Sequence, residues 1–202
     1  MVSMIAALAF PAHCPGCGAP AEPLCHACRA SARTAPCLAP PAGLAALYVP
    51  FAYDGVVREL VARAKYRNRH AALTWLALET VAAIGDIGSG CDVVTWAPTT
   101  VARRRARGFD QAEVLARTIG AELGRPVRAH LRRGAGAPQT GAGRAERAAG
   151  PVFAPKWGMQ AGRGVLLVDD VVTTGATMRA AAAALHRGGV ATVVGAAVAR
   201  RA

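Results

Sequence analysis

The sequence predicts an α/β fold on a mainly parallel sheet, preceded by a small cysteine-rich module. Three observations carry that expectation. Short apolar runs at 47–53, 92–97, 165–168 and 190–198 alternate with helical stretches at 56–66, 71–84, 111–123 and 177–185. Such alternation builds strand–helix–strand units. The run Val165-Leu-Leu-Val168 is apolar without a break, as in a strand buried on both faces. Two Cys-x-x-Cys pairs, Cys14 with Cys17 and Cys25 with Cys28, lie ahead of all these elements.

The cysteine pairs are separated by seven residues. Each can hold two thiolates on one tight turn, and two such knuckles complete a tetrahedral Zn²⁺ site. Gly16 and Gly18 suit the sharp turn. A redox pair is the alternative, whereas a disulfide fits poorly in a chain without an export signal. His13, His26 and Cys37 can substitute as ligands but read as bystanders. Four protein ligands leave no open coordination position, so this zinc stabilises rather than catalyses. Residues 1–38 form this module, and residues 39–202 the α/β domain. Met1–Phe10 is apolar, lacks a basic flank, is short for a signal peptide, and reads as a turn or two of helix. Residues 31–43, with three prolines, read as a linker.

Leu47–Tyr53 is a strand, and Asp54-Gly55 a turn. In the helix Val56–Tyr66, Val57, Leu60, Val61 and Ala64 fall on one face, while Arg58, Arg63, Lys65 and Arg67 charge the other. Lys65 and the Arg67-Asn-Arg69 segment either contact a phosphate or form a solvated helix end. Ala71–Ile84 is a second, amphipathic helix closed by Gly85. Asp92–Ala97 is a buried strand running into Pro98-Thr99-Thr100. Loops at the C-terminal ends of parallel strands face the ligand crevice, which places Pro98 and Thr99 near the loop that follows Val168.

Arg103, Arg104, Arg105 and Arg107 form the densest positive patch and can bind pyrophosphate or a nucleic-acid backbone. Phe109 either stacks a base or anchors the core, and Asp110 can cap the helix from Gln111 to about Leu123. Val127–Leu131 reads as a further strand. Arg132–Gly150, with Gln139, Arg144 and Arg147, is a loop long enough to be functional or disordered.

The remaining stretch centres the whole chain. Asp169 and Asp170 stand where the strand from Val165 should end, followed by Val171-Val172-Thr173-Thr174-Gly175-Ala176-Thr177 and an Ala-rich helix stopped by Gly188-Gly189. A helix N-terminus behind a small-residue loop offers unpartnered N–H groups to an anion. Carboxylates beside it would repel a bare phosphate. They suit a ligand that also carries hydroxyls and a divalent cation, as a ribose 5-phosphate with Mg²⁺ does. The bland alternative is an ordinary strand-to-helix turn in which Asp170 caps the helix.

The formal charge is +12, from 24 Lys and Arg against 12 Asp and Glu. That excess favours phosphorylated metabolites, nucleic acid or an anionic membrane surface as partners. No run reaches about 18 uninterrupted apolar residues, which excludes a membrane span; the expectation is a soluble cytoplasmic protein.

Val168–Thr177 resembles the phosphoribosyl-pyrophosphate (PRPP) loop of type I phosphoribosyltransferases. That resemblance implies a doubly wound sheet, acids at Asp169 and Asp170 holding the ribose hydroxyls, and a loop at 171–177 holding the 5-phosphate. It also makes Pro98-Thr99-Thr100 the counterpart of the pyrophosphate loop, and 132–150 that of a mobile flap. Together with the cysteine knuckles, Arg107-Gly-Phe-Asp-Gln-Ala112, Pro138-Gln139, Tyr53-Asp54-Gly55 and Leu131-Arg132-Arg133, the chain is similar to the ComF family over nearly its whole length. Members of that family are linked to DNA uptake during competence. The chain departs from the family at Asp110, where asparagine is usual, and at Ala148 and Ala149 after the second flap arginine. Two functions follow from the resemblance. One is a PRPP- and Mg²⁺-dependent transferase of unknown acceptor. The other is a single-stranded-DNA-binding accessory working with DNA-uptake proteins, with PRPP as regulator. Oligomeric state is not legible.

Overall fold

A computed structural model of the protein describes residues 13–21, 24–64, 70–85, 90–134, 151–156 and 164–201. Its central sheet is parallel, with β1 (Ala46–Tyr48), β7 (Thr192–Arg200), β6 (Gly164–Val172) and β3 (Val93–Trp96) side by side in that order, and β2 (Phe51–Ala52) also on β7. The helices are α1 (His26–Ala30), α2 (Gly55–Arg63), α3 (His70–Ile84), α4 (Val101–Arg107), α5 (Gln111–Glu122) and α6 (Ala176–Arg187).

Strand β6 is buried on both faces, and its side chains alternate between two cores. Leu166 and Val168 join Leu60, Leu73, Leu76, Leu115 and Ile119 from α2, α3 and α5. Val165 and Leu167 join Met178, Ala181 and Leu185 of α6 on the opposite face. Period-two projection along one apolar strand therefore seats helices on both sides of the sheet, the doubly wound arrangement. The cysteine module is part of the first core: Cys14 and Leu24 are buried with Val57 and Leu60.

Several elements differ from the expectation. The strand at 47–53 is split, because Pro50 has no N–H to give β7. Its two halves keep one register, Tyr48 opposite Ala196 and Phe51 opposite Ala199. Val127 makes only a single parallel bridge to Val94. The chain then turns away, and β4 (Leu131–Arg133) pairs antiparallel with β5 (Phe153–Pro155) outside the main sheet. The basic run at 101–107 is a helix, capped by the Thr100 hydroxyl and ended by Gly108. On α3 the exposed line bears Thr74, Leu78 and Ala82 rather than charges. Strand β6 does not end at the acids: Asp169 is still opposite Ala197 and Val172 opposite Arg200.

At the start of β6, a side chain on Gly164 would fall on the carbonyl of Gly90. Gly164→Ala is expected to destabilise the fold by about 1–3 kcal/mol through overpacking, read as a lower urea midpoint at unchanged slope.

Candidate functional site

The site opens where two neighbouring strands part. Strand β3 is paired with β6 only as far as Trp96 opposite Val168, and Ala97 donates its N–H to the Val168 carbonyl at 2.9 Å. Beyond that point the chain leaves at Pro98, while β6 continues beside β7 to Val172. The divergence opens a cavity of about 340 Å³ at the C-terminal ends of the strands. Thr99, Arg103 and Arg107 line it from one side, and Asp169, Asp170, Val171, Thr173 and Thr177 from the other.

Asp169 is 8% exposed, and its Oδ1 accepts the N–H of Asp170 at 2.9 Å. Burial, reinforced by the Asp170 charge, pushes its carboxyl well above the ordinary range. Asp170 accepts the N–H of Val171 at 2.7 Å and so does not cap the following helix. The N-cap of α6 is Gly175, in the left-handed region at φ 72°, and it makes no side-chain capping bond. A side chain there would also meet the Pro41 ring at 2.8 Å. The first N–H groups of α6 are thus left largely to an incoming group. Among the described residues, Ala176 alone of these has a side-chain acceptor, the Thr174 hydroxyl, at 3.4 Å. A small depression lined by Val172, Gly175, Ala176 and Thr177 marks this end of the site.

The opposite wall is held by Asp110, 4% exposed. Its Oδ1 accepts the Ala112 N–H at 3.1 Å, capping α5, and its Oδ2 accepts the Thr99 N–H at 2.8 Å. One carboxylate thereby ties the loop after β3 to a helix N-terminus. Desolvation raises its affinity for a proton, against the N–H donors that lower it.

Not every arginine of the 103–107 run faces the cavity. Arg103 and Arg107 do, whereas Arg104 pairs with Glu113 at 3.5 Å and Arg105 is exposed outside the cavity lining. Phe109 is packed against the α2–α3–α5 core, the anchoring alternative rather than a free stacking platform. Lys65, Gln139, Arg144 and Arg147 lie outside the described residues, as do Met1–Phe10 and most of 132–150.

Among the lining residues that sequence reasoning did not single out as site residues are Tyr53, Gln111 and Arg133. Each lies in a segment that carries the family resemblance, the one signal that could have found them. Arg133 sits on β4, its guanidinium 5.4 Å from the centre of the Phe153 ring, and donates to the Pro98 carbonyl at 3.3 Å. Burial and the nearby Arg103 depress its proton affinity, while Asp169 and Asp110 support its charge. The hairpin outside the sheet thus delivers a cation to the loop after β3.

The four cysteines form a second centre. Their sulfurs lie within 4.8 Å of one another, Cys17 and Cys25 at 3.6 Å. Tetrahedral Zn–S bonds of about 2.3 Å place sulfurs about 3.8 Å apart, so the donor set fits such an ion. The N–H of Cys25 faces the Cys14 sulfur at 3.5 Å, and that of Cys28 faces the Cys25 sulfur at 3.4 Å. A side chain on Gly16 would strike the Cys28 sulfur at 2.8 Å. Burial is the largest influence on both extreme thiols. It pushes Cys28 up to about 12, while N–H groups of Cys25, Cys17 and Gly16 outweigh it at Cys14 and bring that thiol down to about 6. A bound cation removes this competition for the negative charge. His13, His26 and Cys37 are outside the cluster.

The knuckle is docked on α2. Arg63 Nη1 donates to the carbonyls of Pro15 and Gly16 at 2.8 and 3.2 Å. The same helix carries Val61 into the cavity wall.

Among the described residues no helix is long and apolar enough to cross a membrane. Residues 97–202 match the family model described as a phosphoribosyl transferase domain. No curated protein matches the chain. Similar solved structures include the allosteric regulatory enzyme of purine biosynthesis, at 22% identity over 65% of this chain and 26% of that one, with a TM-score of 0.47. A Thermus thermophilus protein is 23% identical over 65% of this chain and 74% of its own, with a TM-score of 0.38. A purine phosphoribosyltransferase from Pyrococcus horikoshii is 17% identical over 62% and 74%, with a TM-score of 0.36. The chain spans about a quarter of the length of the first of these.

Two outcomes follow from the electrostatics. The raised affinity of Asp169 means the folded state holds this proton more tightly than the unfolded chain. Its contribution to stability is present below the unfolded carboxyl range and lost as pH rises. Asp169→Asn is therefore expected to melt higher than the parent at pH 8, with the gap closing towards pH 4 in a thermal scan. For the cysteines, elemental analysis is expected to find one zinc per chain. Cys17→Ser should lose it and lower the melting temperature, and a metal-free parent of unchanged stability would contradict the fit.

Proposed function

Because the chain belongs to the phosphoribosyl transferase domain family, we propose that it uses PRPP with Mg²⁺ and transfers the phosphoribosyl group to an acceptor, releasing pyrophosphate. One observation carries this reading. The paired acids and the arginines Arg103, Arg107 and Arg133 line one cavity, and the uncapped start of α6 borders a depression that shares Asp169, Thr173 and Thr177 with it.

In this reading the backbone N–H groups of Thr173–Thr177, with the threonine hydroxyls, receive the 5-phosphate at the helix N-terminus. Asp169 and Asp170 accept from the ribose hydroxyls, and this orients the anomeric carbon. The pyrophosphate lies towards Pro98, Thr99 and the arginines. Mg²⁺ carried in with PRPP would neutralise part of the pyrophosphate charge. The bond from the anomeric carbon to the pyrophosphate oxygen breaks, and its electron pair leaves with pyrophosphate. The acceptor's lone pair then forms the new bond to the same carbon. Positive charge growing on the ribose ring is stabilised by the nearby carboxylates, and negative charge growing on the leaving group by the arginines. Asp169 and Asp170 line one wall of the cavity, and Arg103 and Arg107 the other, where Asp110 is already engaged by two backbone N–H groups.

The four-cysteine module at 14–28 is read as a structural Zn²⁺ centre, in line with the ComF-like pattern of the whole chain. Residues 1–38 and 39–202 are its two proposed parts. A role in DNA uptake rests on that pattern alone. Single-stranded DNA is the second ligand class, favoured by the exposed Arg103 and Arg105 on α4 beside the cavity mouth. The core position of Phe109 and the Arg104–Glu113 pair weaken it.

Calorimetric titration with PRPP tests the reading. Saturable, Mg²⁺-dependent binding is expected, weakened about 100-fold or more in an Asp169→Ala, Asp170→Ala double variant that loses two sets of charge-assisted hydrogen bonds. A folded, zinc-replete protein that ignores PRPP but binds a labelled oligonucleotide, with affinity falling steeply with salt, would transfer the site to nucleic acid.

A further inference from the structure

Gln111 is 2% exposed, yet both ends of its amide are engaged. Its Nε2 donates to the Val61 carbonyl at 3.1 Å, across fifty residues of sequence. Its Oε1 accepts from Arg107 Nη1 at 3.2 Å. The Val61 carbonyl lies in the last turn of α2. Gln111 donates to it and is thereby locked in one orientation. The locked amide presents its oxygen to a guanidinium that lines the cavity.

Arg107 would otherwise be free to swing. It ends α4, just before Gly108 turns the chain, and among the described ion pairs none includes it. A long side chain that must be fixed at the moment of binding loses conformational entropy. A neutral acceptor fixes it in advance and leaves its full positive charge for an anion. A carboxylate in the same place would cancel that charge. The amide therefore does two things at once: it donates to Val61, which fixes it, and it gives Arg107 an uncharged acceptor.

We propose that Gln111 is a positioning residue that pre-orients Arg107 for the pyrophosphate group, and that it takes its own orientation from helix α2. That helix is the one on which the cysteine knuckle is docked through Arg63. The inference rests on the PRPP reading for its ligand but not for its geometry.

The test combines a binding cycle with a ligand-free measurement. Calorimetry with PRPP and with inorganic pyrophosphate is run on the parent, Gln111→Leu, Arg107→Ala and the double variant. Gln111→Leu is expected to weaken both ligands about tenfold, the scale of one charge-assisted hydrogen bond, and to add nothing in the Arg107→Ala background. An equal loss in both backgrounds would mean that Gln111 only supports the fold, and would overturn the proposal. In the unliganded protein, labelled with ¹⁵N-arginine, the Arg107 guanidinium should rotate slowly in the parent and freely in Gln111→Leu. The resonance is assigned by its disappearance in Arg107→Lys. Equal rotation in parent and variant would also overturn the proposal. Should the leucine variant not fold, Gln111→Met, unbranched and of the same reach, takes its place in both arms. A parent that binds neither ligand but slows Arg107 through Gln111 would sink the PRPP reading and leave the positioning role standing.

Discussion

The site depends on one mismatch of strand length. Strand β6 is paired on both sides as far as Val168, and on one side only from Asp169 to Val172. The sheet holds the acids rigidly through β7, while the departure of the chain at Pro98 frees the space in front of them. Had β3 continued, its backbone would occupy the crevice. Had β6 ended at Val168, the acids would sit on a loop without fixed direction. A residue that cannot donate to a ladder, placed one position after Ala97, suits the departure well.

Within that space the charges are separated by burial as well as by sign. Asp169 and Asp110 are sunk into the walls, each tied by backbone N–H donors. Arg103 and Arg107 approach from a helix at the surface, and Arg133 from the hairpin outside the sheet. Buried acids and more exposed arginines do not collapse into ion pairs. Among the described residues the carboxylate partners of arginine are Asp54, Glu59 and Glu113, none of them an acid of the cavity. The cavity therefore keeps both kinds of group unpaired with each other.

The cysteine centre is linked to this arrangement by ordinary packing. Cys14 and Leu24 share the core of α2 and α3, and Arg63 clamps the first knuckle to α2. The C-terminal turn of the same helix supplies Val61 to the cavity wall and its carbonyl to Gln111. The cysteine module and Arg107 are thus joined by core packing, one helix and the Gln111 amide.

The sequence by itself determined the features that depend on neighbours along the chain. A short unbroken apolar run suits a strand buried on both sides, a glycine among small hydroxylated residues before an Ala-rich run suits the start of a helix, and paired Cys-x-x-Cys turns bring their own sulfurs together. For these, backbone geometry and side-chain type act over a few residues, so the pattern is local. Tertiary structure decided what distant segments contribute. Tyr53, Gln111 and Arg133 reach the cavity from separate elements. Gln111 reads as the first residue of a helix until Val61 is set beside it. Phe109, for which the sequence left base stacking and core anchoring open, packs against the core, and Arg104 pairs with Glu113. Which side of a short helix faces the ligand depends on what packs beneath it, and hydrophobic burial decides that only when the whole chain has come together.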